Sequence, residues 1–248
     1  MFLNKMGYEL VRVARGSKGS WAVMSGPKPK TNYQVDSAFH ESYEQASVQT
    51  RMAKDNPYRR QRHYTLRQLY RQTAPLPGSV CELGCFQGLS SYQIAALMEE
   101  EQPVKAFHIF DSFEGLSEFK AEDVNTSVSA EVLEEQRKAL ACSLENVQSH
   151  LSRFPFIQYH KGWVPERFHE VENESFSFVH IDLDLYEPIL QSEEFFYPRL
   201  VSNGIMVFDD YGSIFFSGAK KAVDEFRMRY PNDFFLELPS GQAFLIKR

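Results

Sequence analysis

The sequence predicts an α/β chain: a mainly parallel sheet covered by helices on both faces, with a hairpin adding an antiparallel strand at the end. Three observations predict it. From residue 79 onward, short apolar runs alternate with longer segments of helical periodicity. The closing stretch "FFLELPSGQAFLIKR" (234–248) is two apolar runs joined by Pro-Ser-Gly-Gln, which reads as a hairpin. Two apolar runs end in paired acids, "VHIDLDLYEP" (179–188) and "VFDDYG" (207–212). In a doubly wound sheet the carboxyl ends of the strands are where ligands bind.

The elements follow in order. Residues 1–40 are polar, with Gly, Ser, Lys and Pro clustered at 15–32, and read as an extension with a short strand or hairpin around 8–24. Two helices are expected over 41–73, "SYEQASVQTRMAK" and "YRRQRHYTLRQLYRQT", separated by Asn56-Pro57. In the second, Tyr58, Arg62, Leu66, Leu69 and Tyr70 approximate one face. "PLPG" (75–78) stops it. Strands are expected at 79–84, 104–111, 156–162, 176–184 and 204–210, and two more in the hairpin, seven in all. The helices between them are expected at 89–101, 129–151, 187–200 and 218–230, with a short one in "VPERFHEV". The chain divides into an N-terminal extension and helical cap or lid (1–73) and a ligand-binding α/β domain (74–248).

Composition narrows the function. A hydrophobic fraction of 43% and a charged fraction of 24% are ordinary for a globular chain with a large core. The net charge of -6 and the single short basic stretch at 58–71 argue against a nucleic-acid partner. No apolar run of about eighteen residues is present, so no membrane span is expected. The N-terminus lacks an apolar secretory core, and three cysteines (Cys81, Cys85, Cys142) fit a reducing cytoplasm, with no zinc-like clustering.

The strand ends carry the chemistry. The first ends in "ELGCFQGLSS", with Glu82, Gly84, Gly88 and Ser90 in a strand-to-helix turn. Glycines there let a ligand approach the backbone, although neither GxGxxG nor a P-loop is present. The second ends at Asp111, which suits ribose hydroxyls or a helix cap. The third ends in "HKGW", where Gly162 and Trp163 could border an adenine ring or simply fill the core. The fourth and fifth end in Asp182, Asp184, Asp209 and Asp210. On a strand, Asp182 and Asp184 share a face. Neighbouring strand ends lie about 5 Å apart, so carboxylates converging there repel unless a cation joins them. A hard oxygen-ligand site, favouring Mg²⁺, resolves this, and capping of the following helices is the alternative.

Together "FDSFEGL", "GWVPERF", "VHIDLDLYEP", "FYPRLVSNGIMVFDDYG" and "GAKKAVDEFR", in this order, resemble the macrocin-type (TylF) O-methyltransferase family of class I S-adenosylmethionine-dependent methyltransferases, from about residue 45 to 248. The resemblance implies the Rossmann-like methyltransferase fold. It implies methyl transfer from S-adenosylmethionine to a hydroxyl of a small molecule, a sugar or glycosylated natural product, with Mg or another divalent cation. Glu82, Gly84, Gly88, Ser90, Asp111, Ser112, Gly162, Trp163 and Asp182 would then serve the cofactor site. Asp182, Asp209 and Asp210 would hold the metal, and Asp184 would be the general base. A homo-oligomer is also implied. Leu183 stands where the family often has Gly, "CFQG" departs from the usual glycine-turn text, and residues 1–40 have no counterpart. A catechol-type O-methyltransferase and a catalytically silent cofactor-binding partner are the alternatives.

Overall fold

The computed structural model describes residues 9–12, 21–24, 32–52, 57–101, 105–123 and 130–248. The chain forms two compact units, residues 1–39 and residues 40–248. In the first, β1 (Glu9–Arg12) and β2 (Trp21–Met24) pair antiparallel from Glu9↔Met24 to Arg12↔Trp21, the hairpin expected around 8–24. A single turn, α1 (Asn32–Val35), follows. The helix α2 (Ser37–Gln49) begins four residues or more before the expected start, where Asp36 Oδ1 accepts the Phe39 amide at 2.9 Å. The expected end of that helix at Ala53 and Lys54 lies outside the described residues.

The second unit is built on seven strands: β3 (Ser79–Leu83), β4 (Phe107–Asp111), β5 (Ile157–Lys161), β6 (Phe176–Ile181), β7 (Leu200–Phe208), β8 (Phe234–Glu237) and β9 (Ala243–Ile246). Their order is β5-β4-β3-β6-β7-β9-β8. The first five are parallel, and β9 runs antiparallel to both β7 and β8. From β3 the chain winds outward through β4 and β5, then returns to place β6 on the other side of β3. The switch point therefore lies at the carboxyl ends of β3 and β6, where such sheets bind ligands. All six residues of β6 are buried, as its unbroken "FSFVHI" requires of a strand with neighbours on both edges and helices on both faces.

The helices are α3 (Pro57–Thr73), α4 (Leu89–Glu101), α5 (Ala130–Ala139), α6 (Leu144–His150), α7 (Tyr186–Arg199) and α8 (Ser217–Arg227), with a 3-10 turn at Phe168–Val171. In α8, Gly218, Ala219, Ala222, Val223 and Phe226 form one buried stripe. Phenylalanines fill the centre: Phe196 meets Phe176 and Phe168 edge-on, each at 5.0 Å between ring centroids.

Three expectations are corrected. The single helix over 129–151 is two, because Ser143 caps α6 by accepting the Asn146 amide at 3.3 Å, and residue 129 lies outside the described residues. The strand over 176–184 ends at Ile181. Asp184 takes a φ of +61° and the Leu185 amide closes a tight turn onto Leu183 O at 2.6 Å, so the same-face argument for Asp182 and Asp184 does not apply. The strand expected from 204 starts at Leu200, directly after α7. The division into compact units falls between Phe39 and His40, inside the expected N-terminal part, 1–73. Helix α3 buries Leu66 and Tyr70, and Tyr70 stands edge-on to Phe178 of β6 at 5.7 Å.

One buried group departs from the apolar core. Glu193 of α7 is fully buried, and neither carboxyl oxygen has a hydrogen-bond partner. Burial pushes its pKa well above the ordinary glutamate value of 4.5. Below that value the group is neutral in the folded and unfolded chain alike and adds no ionisation cost. As pH rises, the unfolded chain ionises first, so folded stability falls until the folded carboxyl itself titrates. Glu193→Leu is expected to stabilise the protein at neutral pH by about 1–3 kcal/mol, the cost of an unsatisfied buried polar group. The gain should shrink below pH 4.5, and thermal melts at pH 4 and pH 7 check it. An equal or lower melting temperature for the variant at pH 7 would contradict this account.

Candidate active site

A cavity of about 670 Å³ opens at the switch point. Its floor is the turn after β3. Gly84 has a φ of +81°, and a Cβ there would lie 1.9 Å from the Asp182 carbonyl oxygen. Only glycine lets the ends of β3 and β6 come this close. Gly88, with a φ of +87°, closes the turn by donating its amide to Cys85 O at 2.7 Å, and α4 begins at the next residue. Ser90, in the first turn of α4, lines the cavity together with Gly84.

Asp111 ends β4 beside this turn. Its Oδ2 accepts the amides of Cys85 at 2.7 Å and Phe86 at 3.3 Å, and its Oδ1 accepts that of Phe113 at 2.7 Å. The carboxylate thus shapes the glycine turn and keeps lone pairs to spare for a ligand. It does not cap a helix. Ser112 accepts the Glu114 amide and donates to Gly115 O, fixing the next loop. Gly162 ties its amide to Asp111 O at 3.0 Å, and Trp163 follows it on the cavity wall. Gly88 and Glu82 are set back from the wall. Glu82 is wholly buried: its Oε2 accepts from the Ser91 hydroxyl and its Oε1 meets His180 Nδ1 at 2.9 Å. The structure therefore places this acid under the cavity as a support rather than in it.

The acids at the ends of β6 and β7, Asp182, Asp184, Asp209 and Asp210, line the same cavity. Ligand atoms of Asp182, Asp209 and His180 all lie within 4.8 Å of one another. Asp210 stands outside that group of three and accepts the Asp184 amide on Oδ2 at 3.0 Å. Helix α7 is capped by a different acid. Asp123, from the loop beyond β4, accepts the Tyr186 amide at 2.7 Å, which leaves Asp184 free of that task. Burial, then Asp210, push the Asp182 carboxyl up to about 7. Burial, Asp210 and Asp182 push Asp184 well above the usual carboxylate range. A carboxylate cluster this crowded, all hard oxygen donors and open to a cavity, fits a divalent cation such as Mg²⁺ or Mn²⁺. Asp182 and Asp209 are placed to hold it, and Asp210 adjoins them.

Several residues of this site escape the motif reading. His180 links the end of β3 to the end of β7, with Nδ1 on Glu82 and Nε2 3.3 Å from Asp209 Oδ1. Its signal was present, since it lies two residues before Asp182 in the same strand run. Gln242, from the hairpin turn, donates to Asp209 Oδ1 at 2.5 Å, and nothing in "PSGQAF" marks it. Arg62, on the face shared with Leu66 and Tyr70, pairs with Asp209. His63 also lines the cavity. Its Nδ1 engages Arg59 O at 2.8 Å, and burial holds its pKa down to about 3, so the ring is neutral.

Residues 34–231 match the family described as macrocin-O-methyltransferase (TylF), over most of the chain. The chain belongs to that family. Among its relatives, 8-demethyl-8-(2,3-dimethoxy-alpha-L-rhamnosyl)-tetracenomycin-C 4'-O-methyltransferase of Streptomyces olivaceus is 29% identical over 62% of this chain. Demethyldecarbamoylnovobiocin O-methyltransferase of Streptomyces niveus is 22% identical over the same share. The chain spans 60% of the length of each of these two relatives. The solved O-methyltransferase NovP superposes with a TM-score of 0.64 at 21% identity, over 75% of this chain and 79% of its own. The seven-stranded sheet with its antiparallel end is thus the Rossmann-like methyltransferase fold. Among the described residues, no helix is long and apolar enough to cross a membrane.

Proposed function

We propose that this family member transfers a methyl group from S-adenosylmethionine to a hydroxyl of a small molecule, a sugar or glycosylated natural product, with the help of a divalent cation. The observation that carries the reading is that a glycine turn and a carboxylate cluster line one cavity at the sheet's switch point. The names of the two relatives, both O-methyltransferases and one naming a rhamnosyl group, support the acceptor class.

In this reading Gly84 and Ser90 border the cofactor's amino-acid end, Asp111 and Ser112 its ribose, and Gly162 and Trp163 its adenine. Gly88 keeps the turn closed, and Glu82 holds the strand ends together from below. The acceptor oxygen attacks the methyl carbon, the carbon–sulfur bond breaks, and its electron pair stays on sulfur, which becomes a neutral thioether. The hydroxyl proton passes to Asp184, whose raised affinity for protons suits a general base. Asp182, clustered with Asp209, is the natural ligand of the pair. A bound divalent cation would make a neighbouring hydroxyl more acidic and orient it. Phe216, which is buried, and Phe215 add apolar surface to the cavity lining.

The reading is tested by incubating the protein with methyl-labelled S-adenosylmethionine, Mg²⁺ and two acceptors, a rhamnose-bearing glycoside and a catechol. Label on the glycoside is expected. Transfer to the catechol alone would replace the acceptor class, and no binding of S-adenosylmethionine or its demethylated product would overturn the reading.

A further inference from the structure

The acid cluster already faces a cation, and it is one of the chain's own. Arg62, on α3, places Nη2 in an ion pair with Asp209 Oδ2. The same nitrogen donates to the Asp209 backbone oxygen at 3.1 Å and stands 3.9 Å from Asp210 Oδ1. One guanidinium nitrogen thus serves three oxygens of two consecutive residues. The other carboxylate oxygen of Asp209 is committed elsewhere: Oδ1 takes Gln242 Nε2 at 2.5 Å and His180 Nε2 at 3.3 Å. The oxygen of Asp209 left for an incoming cation is therefore the one Arg62 holds.

We propose that Arg62 is an exchangeable resident cation: it occupies Asp209 Oδ2 until a divalent cation displaces it, so the two bind this oxygen in mutual exclusion. The inference rests on the divalent-cation part of the proposed function. It gives Arg62 a positioning task. In the cation-free protein the guanidinium offsets the repulsion among Asp182, Asp184, Asp209 and Asp210 and keeps Asp209 aimed at the cavity. Loading the cation frees the guanidinium, and with it the first half of α3, from the acid wall. Competition of this kind lowers the apparent cation affinity by the fraction of molecules in which the oxygen is free.

The test is calorimetric titration of chelator-treated full chain with Mn²⁺, comparing wild type, Arg62→Met and Arg62→Lys. The Met variant keeps the apolar stem but not the charge. It is expected to bind Mn²⁺ about tenfold tighter or more, corresponding to a resident arginine that holds the oxygen nine-tenths of the time. Arg62→Lys, retaining a charge without the planar fork, should fall between. Thermal melts supply the second readout. Without Mn²⁺ the Met variant should melt below wild type, and Mn²⁺ should raise its melting temperature by more than it raises that of wild type. Equal or weaker binding by Arg62→Met, with Mn²⁺ still bound by wild type, would overturn the inference and leave the divalent site standing. Failure of every protein to bind Mn²⁺ would overturn both. A variant that folds only when Mn²⁺ is present would support the inference, since the added ion then replaces the lost arginine.

Discussion

Gly84→Ala is expected to lower the stability of the protein by about 2–5 kcal/mol and to weaken binding of S-adenosylmethionine at least tenfold. Two effects act together. The residue sits at a φ of +81°, where a side chain costs roughly 1–2 kcal/mol. The added Cβ would also meet the Asp182 carbonyl oxygen at 1.9 Å, so the ends of β3 and β6 must part, and overpacking of this sort costs about 1–3 kcal/mol. That separation lies on the cavity floor, between the glycine turn and the acid whose backbone it strikes. For a chain of this length the melting temperature should fall by roughly 4–20 °C. Differential scanning calorimetry and cofactor titration check both parts. An alanine variant with the melting temperature and cofactor affinity of wild type would show that the strand ends are not held by this contact.

The second large effect belongs to Asp184. Asp184→Asn should reduce kcat by about 10²–10⁴-fold, the usual share of a general base. Cofactor affinity and Mn²⁺ affinity should stay near wild type, because the Asp184 amide keeps its bond to Asp210 and asparagine keeps the size and hydrogen-bonding capacity of the side chain. Single-turnover transfer of labelled methyl separates the chemical step from binding. A variant that turns over at the wild-type rate would remove Asp184 from the proton transfer. A variant that loses Mn²⁺ binding instead would exchange its role with that of Asp182.

Much of the architecture was legible in the sequence because its causes are local. The alternation of apolar runs with helical segments marks β3 to β9, and the closing hairpin reads directly from two strands around Pro-Ser-Gly-Gln. The acids at the strand ends were legible as a group for the same reason. Their individual geometry was not. The turn at Asp184 depends on a backbone conformation that no residue pattern announces, and it moves both acids off the strand. The capping alternative failed at Asp184 because Asp123, distant in sequence, supplies the cap of α7. Arg62 and Gln242 reach Asp209 from 147 and 33 residues away, contacts that only the tertiary fold makes. Glu82 was rightly prominent in the motif, yet its partners, Ser91 and His180, direct it into the protein and away from the cavity.

These placements meet in one claim: a methyl donor on the glycine turn and a divalent cation on the acid wall act on a hydroxyl between them. The most direct test is the transfer of labelled methyl to a rhamnose-bearing glycoside, measured on chelator-treated protein before and after Mg²⁺ is restored. The account predicts little transfer in chelator and full recovery with Mg²⁺, with S-adenosylmethionine binding unchanged throughout. Transfer at the same rate in chelator as in Mg²⁺ would contradict it.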